Sequence, residues 1–177
     1  AITKKVKPQP LPDSDERYTL TVDASGVDIT ANTRFGALRA METLLQLIQN
    51  GAENTSLPWV TIEDSPRFPW RGLLLDSARH FIPLPDIKRQ IDGMAAAKLN
   101  VLHWHLTDDQ GWRFSSTRYP KLTQLASDGL FYTPEQMRDV VRYATERGIR
   151  VVPEIDMPGH ASAIAVAYPE LMSAPGP

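Results

Sequence analysis

The chain has 177 residues, of which 42% are hydrophobic, and that content can fill the core of one medium domain or two small ones. Its 19 basic and 21 acidic residues are scattered and give a formal net charge of -2, so no basic stripe indicates a nucleic-acid partner. No run of about 18 apolar residues predicts a membrane span. The first ten residues lack the apolar segment of a secretory leader, and the absence of cysteine excludes disulfides and thiolate metal sites.

The first third of the chain predicts an antiparallel sheet with one helix packed on it. Residues 17–30 alternate apolar and polar side chains around Gly26, a pattern typical of two antiparallel strands joined by a turn. Residues 57–64 predict a further strand. Between the hairpin at residues 17–30 and the strand at residues 57–64, the sequence predicts a helix that ends at Gly51. Its apolar residues follow helical spacing: Phe35, Leu38, Met41, Leu44, Leu45 and Ile48.

The proline-rich residues 64–70 indicate a linker, after which buried strands and helices alternate. Residues 71–78 form a continuous apolar run, which is typical of a strand covered on both faces. Residues 100–109 predict a second buried strand. Pro85 and Asp86 open the helix between these strands. Its apolar side chains include Ile87, Ile91, Met94 and Leu99.

A capped helix follows, with Thr133 as the N-cap, Gln136 as its capping-box partner and Gly148 as the stop. Residues 149–157 predict a third buried strand, and residues 161–171 begin like another helix. Buried strands separated by helices form right-handed parallel βαβ units. This part of the chain therefore predicts an α/β fold with a parallel sheet, either a barrel or an open sheet.

Polar and titratable side chains collect at the carboxyl end of each predicted parallel strand. In parallel α/β folds this rim is where ligands bind. Three groups of residues therefore mark the functional edge of the fold: Asp76, Arg79 and His80; His103, His105, Asp108 and Asp109; and Glu154, Asp156 and His160.

The histidines of the rim have two interpretations. His103 and His105 share one face of a strand, and with Asp108 they offer the imidazole and carboxylate ligands that suit Zn²⁺ or Mn²⁺. The alternative is a polar network in which the histidines hydrogen-bond neighbouring acids. Because an H-x-H pair without a partner motif is a weak metal signal, we predict that no metal binds.

Arg79 directly follows an apolar strand, so we expect its guanidinium at the rim. There a forked donor can hold adjacent hydroxyls of a sugar, or an anion, whereas a surface ion pair is the alternative. Asp108 and His160 can pair, because a carboxylate fixes the tautomer of an imidazole and raises its basicity. Such a pair is either structural or positions a second catalytic group, and we favour positioning. For Asp109, Asp156 and Glu154, a solvated or core-bridging role is as consistent with the sequence as a direct one.

Five stretches of the sequence show a family resemblance. In order and spacing they resemble the β-N-acetylhexosaminidases of glycoside hydrolase family 20, over about residues 17–177. The resemblance implies a small α+β domain with an antiparallel sheet at residues 1–63, incomplete at its start. It further implies the first three βα units of a TIM (β/α)8 barrel at residues 64–177, a periplasmic or secreted location and no cofactor. The stretches are "PRFPWRGLLLDSARHFIP", "KLNVLHWHLTDDQGWR", "YPKLT", "YTPEQMRDVVRYATERGIRVVPEIDMPGHA" and "AYPEL".

The resemblance also implies roles for three rim residues. Arg79 falls on the arginine that holds the ring hydroxyls distal to the acetamido group of a terminal β-linked GlcNAc or GalNAc. Asp108 and His160 fall on a pair that keeps the general acid oriented. The implied reaction is retaining and substrate-assisted: the substrate's own acetamido carbonyl attacks the anomeric carbon, so no enzyme nucleophile is needed.

The catalytic Asp–Glu pair of the family has no counterpart at a matching position. Family members carry it after the fourth barrel strand, downstream of "MPGH", and the Asp-Glu dipeptide of this chain, Asp15–Glu16, precedes the first strand. We therefore expect a fragment of an exo-acting enzyme that is inactive alone and that self-associates through its unpaired sheet edge. Two other hypotheses are a metal-dependent hydrolase that uses the rim histidines and a non-catalytic sugar-binding or structural module.

Overall fold

The computed structural model describes residues 2–4, 7–50 and 55–172. Its first part combines a three-stranded antiparallel sheet, a two-stranded ribbon and a helix among these residues. No helix within the described ranges has both the length and the apolarity that crossing a membrane requires. The elements of the first part are β1 (Tyr18–Asp23), β2 (Gly26–Ala31), α1 (Arg34–Leu47), β3 (Gln49–Asn50), β4 (Thr55–Ser56) and β5 (Val60–Asp64).

β1 lies in the middle of the antiparallel sheet, between β2 and β5. Asp23 pairs with Gly26 at the hairpin end, and Tyr18 pairs with Asp64 of β5 at the other end. Gly26 has a φ of 129°, which residues with a side chain rarely adopt, so the turn favours glycine at this position. Leu20 is fully buried against α1. The two predicted strands and their turn are therefore confirmed.

The ends of α1 follow from its flanking residues. The hydroxyl of Thr33 accepts hydrogen bonds from the backbone N–H groups of Phe35 and Gly36, which caps the first turn. Leu47 is the last helical residue, because the backbone of the next residue is extended. The predicted stop, Gly51, lies outside the described residues.

α1 buries only part of the face that its apolar spacing predicts: Phe35 is 1% exposed and Leu44 packs on the core. Met41 and Leu45 are 54% and 60% exposed, although both were predicted on the apolar face. Arg39 and Thr43 are buried instead, because their polar groups find hydrogen-bond partners inside the fold. The predicted apolar face is therefore confirmed at Phe35 and Leu44 and wrong at Met41 and Leu45.

The second part alternates strands and helices, as the sequence predicts. Two short strands and one short helix, which the sequence did not predict, lie between its second and third parallel strands. A single turn of 3-10 helix follows the last helix at Pro169–Leu171. The elements are β6 (Gly72–Asp76), α2 (Leu84–Ala96), β7 (Val101–His105), β8 (Thr107–Asp108), β9 (Gly111–Trp112), α3 (Lys121–Ala126), α4 (Pro134–Glu146), β10 (Arg150–Glu154) and α5 (Ser162–Ala167).

β6, β7 and β10 pair in parallel with β7 in the centre, which confirms the predicted parallel units within the described residues. α2 and α4 cover one face of this sheet. Leu102 and Trp104 of β7 belong to the buried cluster on that face, together with Ile87, Ile91 and Val140 from the two helices. Each of these side chains is at most 1% exposed, and such burial stabilises a fold by about 1.5–3 kcal/mol per side chain.

The opposite face of the parallel sheet is covered only at its ends by the described residues, where Val101 and His105 are buried. Leu74 of β6 is 54% exposed, and the side chain of His103, which lies opposite Leu74 on β7, is 39% exposed. The prediction that residues 71–78 form a strand covered on both faces is therefore wrong for the described chain. Successive side chains point to alternate faces, and the helices lie on one of them.

α4 begins and ends where its sequence signals place it. The hydroxyl of Thr133 accepts a hydrogen bond from the backbone N–H of Gln136, and the side chain of Gln136 accepts one from the backbone N–H of Thr133. Gly148 has a φ of 68° just beyond the helix, which explains the glycine. α2 ends before Leu99, and that side chain packs on the same core from outside the helix.

A buried ion-pair cluster joins the two parts beneath the amino ends of the parallel strands. The carboxylate of Glu16 lies 3.3 Å from Nε of Arg39 and also contacts the guanidinium of Arg71. Asn100 donates to the same carboxylate at 3.2 Å. Arg39 also donates to the carbonyl of Gly148 at 2.8 Å. Because three of these residues precede parallel strands, the cluster fixes the first part at the end of the sheet opposite the rim.

Glu16→Ala should destabilise the chain by about 3–5 kcal/mol, because it leaves the buried guanidinium of Arg39 without its carboxylate. Urea unfolding followed by circular dichroism measures the change. Glu135→Ala is the matched control: the side chains of Glu135 and its partner Arg138 are 75% and 70% exposed. Loss of that surface pair should change stability by less than about 1 kcal/mol. Equal effects of the two substitutions would contradict a joining role for Glu16.

Candidate functional site

The register of the parallel sheet brings the predicted rim residues together. Asp76, His105 and Glu154 occupy the last positions of their strands and lie opposite one another in one row. Arg79 and Asp108 follow shortly after the first two strands and contact each other. The rim residues expected from the sequence thus form a cluster at the carboxyl end of the sheet, where open and closed parallel sheets bind ligands.

The carboxylate of Asp108 is the centre of this cluster, and its side chain is 1% exposed. Its Oδ2 lies 2.6 Å from Nη2 of Arg79 and 2.9 Å from Nε2 of His105. Its Oδ1 accepts a hydrogen bond from the backbone N–H of Asp109 at 2.7 Å and lies 3.4 Å from Nδ1 of His160. The structure therefore brings Asp108 and His160 within ion-pair distance, as the sequence predicts.

A short hairpin holds Asp108 in this position. β7 ends at His105, the chain passes through the fully buried Leu106, and Asp108 then pairs with Gly111 of β9. The backbone N–H of Leu106 donates to the carbonyl of Glu154 at 3.1 Å, which anchors the bend to β10. The predicted second buried strand is therefore confirmed up to His105, and its predicted extension to residue 109 is wrong, because the chain changes its pairing partner after His105.

His105 connects Asp108 to the neighbouring strand. Its Nδ1 lies 2.8 Å from Oε2 of Glu154, while its Nε2 faces Asp108. The same Glu154 oxygen lies 2.6 Å from Nε2 of His103; it is buried and makes these contacts at ion-pair distance, without an aligned hydrogen bond. Both histidines therefore contact acids, as the polar-network interpretation predicts.

Asp76 fixes the loop that carries Arg79. Its Oδ1 accepts hydrogen bonds from the backbone N–H groups of Ala78 and Arg79 at 2.9 and 3.0 Å, and its Oδ2 accepts one from Nη1 of Arg79 at 2.7 Å. With Asp108 at Nη2, two carboxylates hold the guanidinium. The Arg79 side chain is nevertheless 46% exposed, so part of its fork faces solvent at the rim.

His160 enters the site from the loop before α5. Its φ of 54° is the left-handed conformation, which is strained for a residue with a Cβ and recurs at functional sites. Its side chain is 59% exposed. Asp109 holds the start of α5 by accepting hydrogen bonds from the backbone N–H and the hydroxyl of Ser162 at 3.0 and 2.7 Å. The sequence did not decide the role of Asp109. In the structure this residue supports the segment that follows His160.

Two other predicted rim residues take less part in this cluster. His80 is exposed, and within the described part of the chain no ion pair joins it to the other rim residues. The backbone N–H of Asp156 donates to the hydroxyl of Thr107 at 2.9 Å, which ties the end of the third parallel segment to β8.

Two groups of side chains have the ligand types and the spacing to hold a cation. Within each group the ligand atoms lie within 4.8 Å of one another. Most of these atoms already lie at ion-pair distance from one another. The absence of a metal stays a prediction. The groups are His105, Glu154 and Asp156, and Asp108, Asp109 and His160.

Sequence reasoning missed Arg113, which holds the loop beneath Arg79. Its buried guanidinium donates to the backbone carbonyls of two segments that are far apart in the sequence. No local signal marks this role, because the acceptors lie up to 36 positions away. The acceptors are the carbonyls of Ser77 at 3.1 Å, Ala78 at 3.0 Å, Ser127 at 2.7 Å and Leu130 at 3.0 Å.

Gly111→Ala should destabilise the chain by about 1–3 kcal/mol, because small-to-large changes in a packed site force neighbours to shift. An added Cβ would lie 2.5 Å from Nη2 of Arg113, whose hydrogen bonds prevent it from retreating. Gly93→Ala is the matched control, since a Cβ there meets nothing within 4 Å on the exposed side of α2. We expect it to stabilise the helix by about 0.5–1 kcal/mol. Chemical denaturation measures the stability change of each variant. A change of the same sign in both would contradict the tight packing of Arg113 against Gly111.

The cluster shifts the pKa values of its acids and of its central histidine in opposite directions. Burial acts against a charged Asp108, but the Asp109 N–H, His105 and Arg79 outweigh it and hold the pKa of Asp108 below its ordinary 3.8. Burial also acts against a charged His105, yet the carboxylates of Glu154 and Asp108 raise the pKa of His105 above 6.5. Charge pairing therefore outweighs desolvation at both groups.

The free energy of unfolding should be greatest between the ordinary pKa values of these two groups, 3.8 and 6.5. The lowered pKa of Asp108 contributes stability that is lost as pH falls through its folded value. The raised pKa of His105 contributes stability that is complete below 6.5 and is lost as pH rises through its folded value. Thermal unfolding between pH 3 and 9 measures the loss of stability on the acid side and on the alkaline side of this maximum. His105→Gln should reduce the loss of stability on the alkaline side. An unchanged loss would contradict the assignment of that pH dependence to His105.

Comparison with known families decides the identity of this fold. A family model described as "Glycosyl hydrolase family 20, catalytic domain" matches residues 68–176, and one described as "beta-acetyl hexosaminidase like" matches residues 2–47. The chain belongs to glycosyl hydrolase family 20. The resemblance stated from the sequence motifs is therefore confirmed, and the mixed α/β fold with its antiparallel sheet is that of family 20 structures.

Similar family 20 proteins are considerably longer than this chain. The beta-hexosaminidase of Porphyromonas gingivalis is 46% identical, over 93% of this chain and 23% of that protein. The structure of Flavobacterium johnsoniae chitobiase matches with a TM-score of 0.89 and 54% identity, over 94% of this chain and 25% of that one. Streptomyces plicatus N-acetyl-beta-hexosaminidase, solved in complex with Thio-NAglucal, matches with a TM-score of 0.83 and 38% identity, over 98% of this chain and 37% of that one.

Proposed function

We propose that this chain forms part of the sugar site of an exo-acting β-N-acetylhexosaminidase, which hydrolyses terminal β-linked GlcNAc or GalNAc. The observation that carries the proposal is the half-exposed guanidinium of Arg79, held at the rim by Asp76 and Asp108. Family 20 membership supports the substrate class.

Arg79 is the group proposed to hold the sugar. A guanidinium has five N–H donors in a planar fork, and the contacts with the two carboxylates leave the others for a ligand. Adjacent equatorial hydroxyls of a sugar ring match such a fork, and carboxylates behind the guanidinium keep it from turning away. The distal ring hydroxyls are therefore the proposed contact.

Asp108 and His160 are proposed to orient a general acid for the leaving-group oxygen. Asp108 is an ionised acceptor, so Nδ1 of His160 that faces it is the donor and Nε2 is left as an acceptor on the exposed side of the ring. The proposed reaction is retaining and substrate-assisted, with the substrate's acetamido carbonyl as nucleophile. No enzyme nucleophile is then required of the residues at this rim.

The proposed architecture is an α+β domain at residues 1–63 and the first three βα units of a TIM barrel at residues 64–177. The sheet order β6–β7–β10 supports it, because consecutive strands of such a barrel are neighbours. Asp15–Glu16 is not the catalytic Asp–Glu pair, since Glu16 is buried in the ion-pair cluster at the amino ends of the strands. The general acid is proposed to come from the length of family 20 proteins that this chain does not span.

The chain alone should not hydrolyse β-N-acetylhexosaminides, because general-acid assistance contributes about 10²–10⁴-fold and no acid is assigned at this rim. Its turnover of a chromogenic β-GlcNAc substrate is compared with that of a protein of the relatives' full length that contains it. In the longer protein, Arg79→Lys should lower kcat/KM by about tenfold or more, since it removes the bidentate donor. His80→Lys, at an exposed rim position outside the cluster, is the matched control.

Two results would overturn the proposal. Turnover by the monomeric chain within tenfold of the longer protein would mean that the acid is misplaced. An unchanged kcat/KM in Arg79→Lys would remove the sugar-binding role. Binding of GlcNAc without turnover by the longer protein would instead favour a non-catalytic sugar-binding module.

Self-association is part of the same proposal. β6 and β10 form the edges of the parallel sheet, and no strand among the described residues pairs with either edge. Unpaired edges beside an exposed apolar side chain such as Leu74 are templates for pairing with another chain.

A further inference from the structure

We propose that His105, held by Glu154, is a positioning residue that fixes the carboxylate of Asp108 and, through it, the tautomer of His160. The inference deepens the proposed function and rests on it, because that function gives Asp108 and His160 their catalytic task. His105 is buried behind Asp108, so the proposed role is positioning rather than contact with the substrate.

The two contacts of the His105 imidazole indicate its protonation state. Nε2 of His105 lies 2.9 Å from Oδ2 of Asp108, and Nδ1 lies 2.8 Å from Oε2 of Glu154. The side chain of His105 is 5% exposed, so water cannot take over either contact. A neutral ring would set a nitrogen lone pair against one of these carboxylate oxygens. The doubly protonated ring alone suits both, and it acts as a fixed cation between two strands.

The charges around the ring support the same protonation state. Asp76 lies opposite His105 in the register on one side, and Glu154 lies opposite it on the other. Asp108 faces it from β8, and Asp156 offers a further carboxylate oxygen within 4.8 Å of its partners. Arg79 is the cation of this group that shares Oδ2 of Asp108. Acids therefore outnumber cations around the buried ring, which favours the imidazolium.

The orientation of Asp108 follows from how its two oxygens are shared. Oδ2 is occupied by Arg79 and His105, which leaves Oδ1 to the Asp109 N–H and to Nδ1 of His160. Arg79 is half-exposed and is also held by another carboxylate, so it constrains Asp108 less than the buried ring does. Without His105 the carboxylate can turn toward the guanidinium, and His160 then loses the acceptor that selects its Nδ1–H form.

Long-range ¹H–¹⁵N spectra of the histidine rings test this step without any activity. In the chain we expect both nitrogens of His105 to be protonated near neutral pH and His160 to carry its proton on Nδ1. His105→Gln should reduce the Nδ1–H population of His160 by at least half, whereas His80→Gln should leave it unchanged. An unchanged His160 tautomer in a folded His105→Gln variant would overturn the proposal.

Glu154→Gln covers the case in which His105→Gln does not fold. It keeps the shape of the side chain and removes its charge, so the pKa of His105 should fall. A pKa of His105 that does not move would equally overturn the proposal, because Glu154 would then not hold the imidazolium.

A double-mutant cycle in a protein of the relatives' full length separates positioning from mere stability. His105→Gln should lower kcat about tenfold with little change in KM, and should cost no further activity when Asp108→Asn is already present. Independent, multiplicative losses would overturn positioning through Asp108. Absence of β-GlcNAc hydrolysis by the unsubstituted protein, with the expected ring spectra intact, would refute the proposed function and leave the positioning contact standing.

Discussion

The register of the three parallel strands is the constraint on which the site depends. Because β6, β7 and β10 run in one direction, their last residues Asp76, His105 and Glu154 meet in a single row. A shift of one strand by one residue would turn its last side chain toward the helices and break the row. The alternation of acid, base and acid across the row then allows the loops beyond it to carry further charge, with Arg79 and Asp108 in contact above the sheet.

Buried charge is tolerated at this rim because each group meets a matching partner. Taking an ion out of water costs several kcal/mol, and a buried pair recovers that cost only when its geometry is complete. The carboxylate of Asp108 has such geometry at both oxygens, and the lowered pKa of Asp108 follows from it. Arg113 is satisfied differently, by four backbone carbonyls. Such clusters rarely add stability beyond what apolar packing would give, so the value proposed for this one lies in the fixed orientation of Arg79 and His160.

The two ends of the parallel sheet have different tasks. At the amino ends, Glu16 binds the first part to the second through Arg39 and Arg71, and no ligand site is proposed there. At the carboxyl ends, the side chains of Arg79 and His160 remain about half exposed and face the position proposed for a sugar. The sheet face that carries Leu74 is partly exposed, and no described strand pairs with either outer edge. The family 20 relatives are much longer than this chain.

The sequence by itself determined the features whose causes lie within a few residues. The capping box of Thr133 and Gln136, the alternation of apolar and polar residues in the hairpin and the polar ends of the strands all have local causes, as do the family 20 motifs. Only the tertiary structure decided which residues of α1 are buried and where β7 ends. It also decided that Arg113 holds the loop below Arg79 and that Leu74 is exposed. Those outcomes depend on partners that are distant in the sequence, and neither periodicity nor motif spacing encodes which distant groups will meet a given side chain.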